Sequence, residues 1–226
     1  MALLGKGAVA IWHDIAPEGR AAFYDWHGNE HMPERVGIPG FLRGRRYIAH
    51  EASLEFFNLY EAEALTVLEG PDYQDRLNSP TPWTVETVKH FRRVNRSLNN
   101  VVYTAGPGGG GLIATVRYDA PSEADDAMVA DLLPSLAKAP GIAGITLVVA
   151  DTEASAVDTA ERRARGEANV IPTRAILVEG WGDVAPFAAL CVETLSAPAL
   201  ATFGARGTVA LDTYLLQCTV DTASLG

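Results

Sequence analysis

The stretch Gly106-Pro107-Gly108-Gly109-Gly110-Gly111 has almost no side chains to pack, and the chain on either side of it can be written as the same series of elements. Before it, the alternation in AVAIWH (8–13) predicts a strand. A helix over 19–32 follows, stopped by Pro33. Pro39-Gly40-Phe41 forms a turn that launches a strand over 42–49, and EFFNLY (55–60) is the next strand. Helical pattern over 62–77 is broken at Ser79-Pro80-Thr81-Pro82, resumes for a turn or two over 83–91, and ends in a strand within 96–104. After the glycines, GLIATVRY (111–118) is a strand and 121–138 a helix. Pro140-Gly141-Ile142 then repeats the turn. Strands at 145–150 and 175–180 follow, then a helix capped by Asp183 and a final strand over 208–220.

Strand, helix, strand, strand, helix, strand, twice over, predicts an α+β chain of two ferredoxin-like βαββαβ units. Each unit makes a four-stranded antiparallel sheet with its helices on one face. The other face needs cover, and a second copy supplies it, so the two sheets should face each other across one core. The expected boundaries are 1–105 for the first unit, 106–111 for the linker and 112–226 for the second.

Charge is uneven between the units. The 226 residues carry a formal −10: residues 1–104 have 11 Lys and Arg against 13 Asp and Glu, and the remainder 7 against 15. This balance excludes a nucleic-acid partner, which needs a positive stripe, and an anionic membrane surface. Neither a secretory leader nor a spanning helix is legible, and Cys191 and Cys218 lie far apart on apolar stretches. A cytoplasmic protein with reduced thiols is expected.

All five histidines (His13, His27, His31, His50, His90) and three of four tryptophans fall in the first unit. One copy therefore carries the candidate chemistry and the other reads as scaffold. The densest cluster runs from Tyr24 to Arg35. At helical spacing Phe23, Trp26, His27 and Glu30 share a stripe, with His31 a turn beyond His27. A His-Glu-His edge facing a sheet has three readings. It is structural, with every nitrogen satisfied. Or it is a small-molecule pocket in which His27 and His31 move protons and Glu30 balances one imidazole. Or His27-x-x-Glu30-His31 binds metal, although Gly28 and Pro33 interrupt the helical frame and no third ligand cluster follows. Tyr24, Trp26, Asn29, Arg35, Tyr60 and Trp83 are the expected substrate contacts. His13 and His50 should be solvated and His90 superficial. Arg43, Arg45 and Arg46 form either an anion-binding edge or a set neutralised by acidic neighbours. The charged segment 159–165 is a solvated face or a flap over the other unit.

The string Trp26-His27-x-x-Glu30-His31-Met32-Pro33-Glu34-Arg35, followed by Ile38-Pro39-Gly40-Phe41-Leu42, resembles the dimeric α/β barrel superfamily, and within it the EthD-like branch. The resemblance implies a pocket between sheet and helices for hydrophobic or aromatic small molecules. The activities it implies are cofactor-free oxygenation, cyclisation and isomerisation, with haem chemistry in a few branches. No cofactor is expected, because nothing beyond an available histidine recommends haem. Carry-over is limited to His27, Glu30, His31 and their neighbours, since the second unit lacks the motif. A homodimer is the expected assembly, with a monomer the alternative because a fused chain can close its own barrel. A non-catalytic binding or structural protein is the rival function.

Overall fold

The computed structural model describes residues 2–225 and shows eight antiparallel strands closed into a barrel, ordered β1-β3-β2-β8-β5-β7-β6-β4. The strands are β1 (Gly7–Ile15), β2 (Phe41–Glu51), β3 (Phe56–Ala62), β4 (Phe91–Ala105), β5 (Leu112–Asp119), β6 (Ile142–Asp151), β7 (Arg174–Gly180) and β8 (Arg206–Asp221). Each half contributes four neighbouring strands, in the order β4-β1-β3-β2 and β6-β7-β5-β8. The sheets are hydrogen-bonded edge to edge rather than merely stacked. One seam pairs β2 with β8 (Tyr47 opposite Leu216) and the other pairs β4 with β6 (Val101 opposite Val148). No edge strand is left open in the closed ring.

Helices cover the outside. In the first half they are α1 (Arg20–Trp26), α2 (Met32–Val36), α3 (Leu65–Glu69), α4 (Pro71–Asn78) and α5 (Pro82–Val88). In the second they are α6 (Ser122–Ala127), α7 (Leu133–Leu136), α8 (Thr152–Ala156), α9 (Ala160–Arg165), α10 (Val184–Leu195) and α11 (Ala197–Ala201). Alternation sorts the strand residues. On β1, Ala8, Ala10 and Trp12 point into the barrel, and Val9 and Ile15 point out to the helices.

The barrel interior is filled. Trp12, Tyr47, Phe57 and Tyr214 are fully buried there, and the Trp12 indole N–H donates across to Thr115 Oγ1 at 2.9 Å. Ion pairs plug both ends. At one end Arg45 lies between Glu61 (2.9 Å) and Glu179 (2.6 Å), with Arg43 also on Glu61. At the other, Arg117 pairs with Asp212 at 2.6 Å and sits over the Trp12 ring. Arg43 and Arg45 are thus neutralised by acidic neighbours, not offered as an anion-binding edge.

Three local expectations are corrected. The first helix does not stop at Pro33 but continues through α2 to Val36. A π-helical turn, His27–His31, widens it just before the proline, with the Met32 N–H reaching back five residues to the His27 carbonyl. The wider turn accommodates a ring that would otherwise clash with the carbonyl four residues back. The second half repeats this: Met128–Leu132 is a π-turn ahead of Pro134, and the Leu133 N–H bonds the Met128 carbonyl. Asp183 does precede α10, but its side chain makes no capping bond. His13 is not solvated; it is fully buried on the outer face of β1.

Residues 184–201 form the one apolar stretch among the described residues with the length of a membrane span. It breaks at Ser196, where ψ is 161°, into α10 and α11. At 1.5 Å per residue, the 12 residues of α10 are too short for a ~30 Å hydrocarbon layer.

Candidate functional site

The cluster predicted around His27 lies between the outer face of β1 and β3 and the helices packed on it. There a cavity of about 30 Å³ opens, room for one or two water molecules. Its walls include Trp26, His27, His31 and Arg35 from the first helix, and Asn58 and Tyr60 from β3. Tyr73, Phe91 and Arg96 add to these, and Glu161 and Arg165 come from α9.

The π-turn decides which predicted residues face this space. An uninterrupted α-helix puts Glu30 on the stripe of Phe23, Trp26 and His27. The extra residue in the turn rotates Glu30 away and leaves His31 inward, its ring against Trp26 with centroids 4.2 Å apart. Glu30 instead accepts hydrogen bonds from the Thr81 hydroxyl at 2.6 Å and the Thr84 hydroxyl at 3.3 Å. Asn29 is exposed and donates to Asp25. Trp83 is 37% exposed and takes no part in the wall. Tyr24 lies behind the site, under the Arg46 guanidinium at 4.9 Å. Among the expected residues, then, His27, His31, Trp26, Arg35 and Tyr60 converge, and Glu30, Asn29, Tyr24 and Trp83 do not. The metal reading needs a third ligand beside His27 and His31, and no group of three or more candidate ligands exists among the described residues.

Proton positions at His27 follow from its partners. Arg46 Nη1 lies 3.2 Å from His27 Nδ1, and arginine can only donate, so Nδ1 accepts. The imidazole proton is then on Nε2 and is donated to Tyr60 Oη at 3.1 Å. That occupies a lone pair of the phenol and frees the Tyr60 hydroxyl proton to donate toward the cavity. A second charge on His27 would press two cations together. Burial first, and Arg46 second, hold its pKa well below that of a free imidazole. The relay extends outward, because Arg46 Nε donates to Gln217 of β8 at 3.0 Å. Burial pushes the Tyr60 phenol strongly up, so it stays a neutral donor.

His31 differs from His27. Its Nδ1 is buried without a partner, and burial followed by the Arg35 charge keeps the ring neutral. His13 is a third neutral imidazole, stacked on Phe91 at 4.4 Å. Its Nδ1 donates to the Asp14 carbonyl and its Nε2 accepts from Asn58 Nδ2 at 2.9 Å. The Asn58 Oδ1 is left without a partner.

Arg35 is held by Glu34 at 3.1 Å and by Glu161. The flap reading of the charged segment is therefore the one the structure bears out: α9, from the second half, lies against α4 and α5 and closes the cavity. Asn58, Tyr73, Arg96, Glu161 and Arg165 went unrecognised in the sequence. The available signal for the last two was that 152–173 has no counterpart in the first half, where only four residues separate β2 from β3.

No known family profile and no curated protein matches this chain. Solved structures do. An anthrone oxidase-like protein superposes with a TM-score of 0.64 at 15% identity, covering 100% of this chain and 97% of its own. A heme-binding protein from Thermus thermophilus gives 0.52 at 12%, covering 93% and 91%. A chlorite dismutase from Candidatus Nitrospira defluvii gives 0.50 at 9%, covering 92% and 90%. At these identities the similarity is one of fold: the mixed α+β architecture of the dimeric α/β barrel.

Proposed function

We propose that the chain is an enzyme that moves a proton on a small cyclic or aromatic compound without a resident cofactor. The observation that carries this is the Tyr60 hydroxyl, 3.1 Å from His27 Nε2 and on the cavity wall with His31. In the proposed step His31 takes a proton from a C–H next to a carbonyl. The electron pair moves onto the carbonyl oxygen, and Tyr60 donates a hydrogen bond to the charge that builds there. His27 acts through Tyr60 and is a positioning residue. Such an enolate is the common first intermediate of isomerisation, cyclisation and, with dioxygen as co-reactant, cofactor-free oxygenation. The anthrone oxidase-like neighbour and the EthD-like sequence string agree with this class of substrate.

The two-unit reading has independent support. His27 and Met128 each open a π-turn, Pro33 and Pro134 each follow it, and Gly40 and Gly141 each adopt a positive φ (87° and 82°) after a proline. All three pairs are 101 residues apart in the sequence. At the same offset Leu132 stands in the place of His31 and Leu136 in that of Arg35, and the Tyr118 hydroxyl donates to Met128 Sδ, the counterpart of His27. On this reading units 1–105 and 112–226 share an origin and only the first keeps a polar pocket. Light scattering tests the expected homodimer, because one chain already closes the barrel.

Haem does not fit the residues present. Both His27 nitrogens are engaged and His13 is sealed between phenyl rings, so neither is free to ligate iron. The rival reading is a non-catalytic binding or structural protein, and the test separates the two. Solvent-deuterium exchange into cyclic diketones and anthrones is followed by NMR. Catalysis predicts acceleration over buffer, falling by roughly 10²–10⁴-fold in Tyr60→Phe or His31→Asn. No acceleration by the intact protein, or equal rates in both variants, would sink the proposal.

A further inference from the structure

The cavity is lined by three cations and one anion in a protein that is acidic as a whole. Arg35, Arg96 and Arg165 face it, and Glu161 is the single carboxylate among the lining residues. Arg35 is spoken for by Glu34 and Glu161. The other two are not. Arg96 donates to the Tyr73 phenol at 2.9 Å, and Arg165 donates to the Asn169 amide. Neither has a carboxylate within 4 Å among the described residues, and the Arg165 Nε is buried with no partner at all. Burial and the neighbouring Arg96 charge lower the Arg165 guanidinium to about 10, the mark of a cation short of an anion.

Two under-partnered guanidinium groups on one small space are costly to retain, and the chemistry that relieves them is a planar anion offering two oxygens. The rest of the wall suits an organic body: Ile11, Trp26, Val88 and Phe91 are apolar. We infer that the ligand of this site is a carboxylic acid, bound as the carboxylate by Arg96 and Arg165 with its ring against Trp26 and Phe91. The inference rests on the proposed function for the location of the site, and it adds the substrate class and two specificity-determining residues.

Glu161 becomes intelligible in the same terms. It lies one turn before Arg165 on the six-residue α9, and its link to Arg35 fastens that helix over the cavity. The void as it stands has room for formate but not for a ring. A larger acid enters as α9 moves, with Gly166 (φ 82°) at the end of the helix free to swivel. Burial first, and the charges of Arg35 and Arg96 after it, keep His31 neutral; an arriving carboxylate offsets those charges, so the base strengthens as the substrate binds.

Calorimetry and thermal-shift titration of the full chain with formate, benzoate and the neutral benzyl alcohol test this. Benzoate should bind and raise the melting temperature, and benzyl alcohol should not. Arg165→Gln should weaken benzoate by 10- to 100-fold, and Arg96→Gln likewise, each with the melting temperature of the free protein recorded as a check on folding. Glu161→Gln should tighten benzoate. Arg165 is only partly buried at the end of a surface helix, so that variant alone decides the matter where Arg96→Gln fails to fold. Absent benzoate binding, equal binding of acid and alcohol, or unchanged affinity in Arg165→Gln would overturn the inference. Deuterium exchange into a neutral diketone that is unaffected by Arg165→Gln, alongside any of those results, would leave the proton-transfer reading standing and remove only the acid. Benzoate binding that depends on Arg165 without any exchange would do the reverse.

Discussion

Replacing Arg45 with methionine is expected to destabilise the protein by about 3–5 kcal/mol, a fall in melting temperature of roughly 6–20 °C for a chain of this size. Arg45 is 2% exposed and holds Glu179 through two hydrogen bonds, at 2.6 and 3.1 Å, while also pairing with Glu61. Glu61 keeps Arg43 when Arg45 goes. Glu179 keeps only the Gly110 N–H at 3.1 Å, which leaves a carboxylate inside a packed barrel with no cation. The expected loss is therefore the cost of stranding that charge, not the net worth of the ion pair. A double variant, Arg45→Met with Glu179→Gln, should recover a large part of it. Calorimetric melting of the two variants checks both statements; a double variant no more stable than the single would show that the stranded charge is not the cause.

Acid should unfold the protein well above the pH at which carboxylates alone would do so. His13, His27 and His31 are all buried and neutral, His13 with a folded pKa of about 3 and the other two well below 6.5. The unfolded chain takes up protons as pH falls below 6.5 and the folded chain does not. The stability these groups contribute is thus complete above pH 6.5 and is lost as pH drops toward the folded values. Each imidazole costs about 1.4 kcal/mol per pH unit in that window. Between pH 7 and pH 5 His13 alone removes about 2 kcal/mol, and His27 and His31 act in the same direction. Urea midpoints followed by tryptophan fluorescence should fall steeply across that range. A midpoint that does not move would mean that the three rings are protonated in the folded state.

What the sequence revealed and concealed has a physical pattern. Local signals carried the strand order: Pro39-Gly40 and Pro140-Gly141 punctuate both halves because the glycines occupy backbone that disfavours other residues. The helix bearing the site was legible as a cluster, since aromatic and imidazole side chains seldom concentrate by accident. Its facing was not. A 3.6-residue period places Glu30 inward, and the π-turn that displaces it depends on how the chain accommodates Pro33. Burial of His13 was hidden for a different reason. The ring sits near the end of β1, where sequence suggests solvent, and it is covered by Phe23, Phe56 and Phe91 from three separate elements. Long-range neighbours explain the remaining omissions: Glu161 reaches Arg35 across 126 positions of sequence.

The seams that close the barrel run between residues from opposite halves, and only the short stretch from Gly106 to Gly111 ties those halves covalently. A barrel assembled from two separate chains comes apart on dilution, because its closure is a second-order event. With a tether this short, one half meets the other at an effective concentration in the millimolar range, whatever the amount of protein present. Folding of the ring, and with it the seating of α9 over the first-half cavity, is thereby decoupled from abundance. A few copies per cell would carry an intact site.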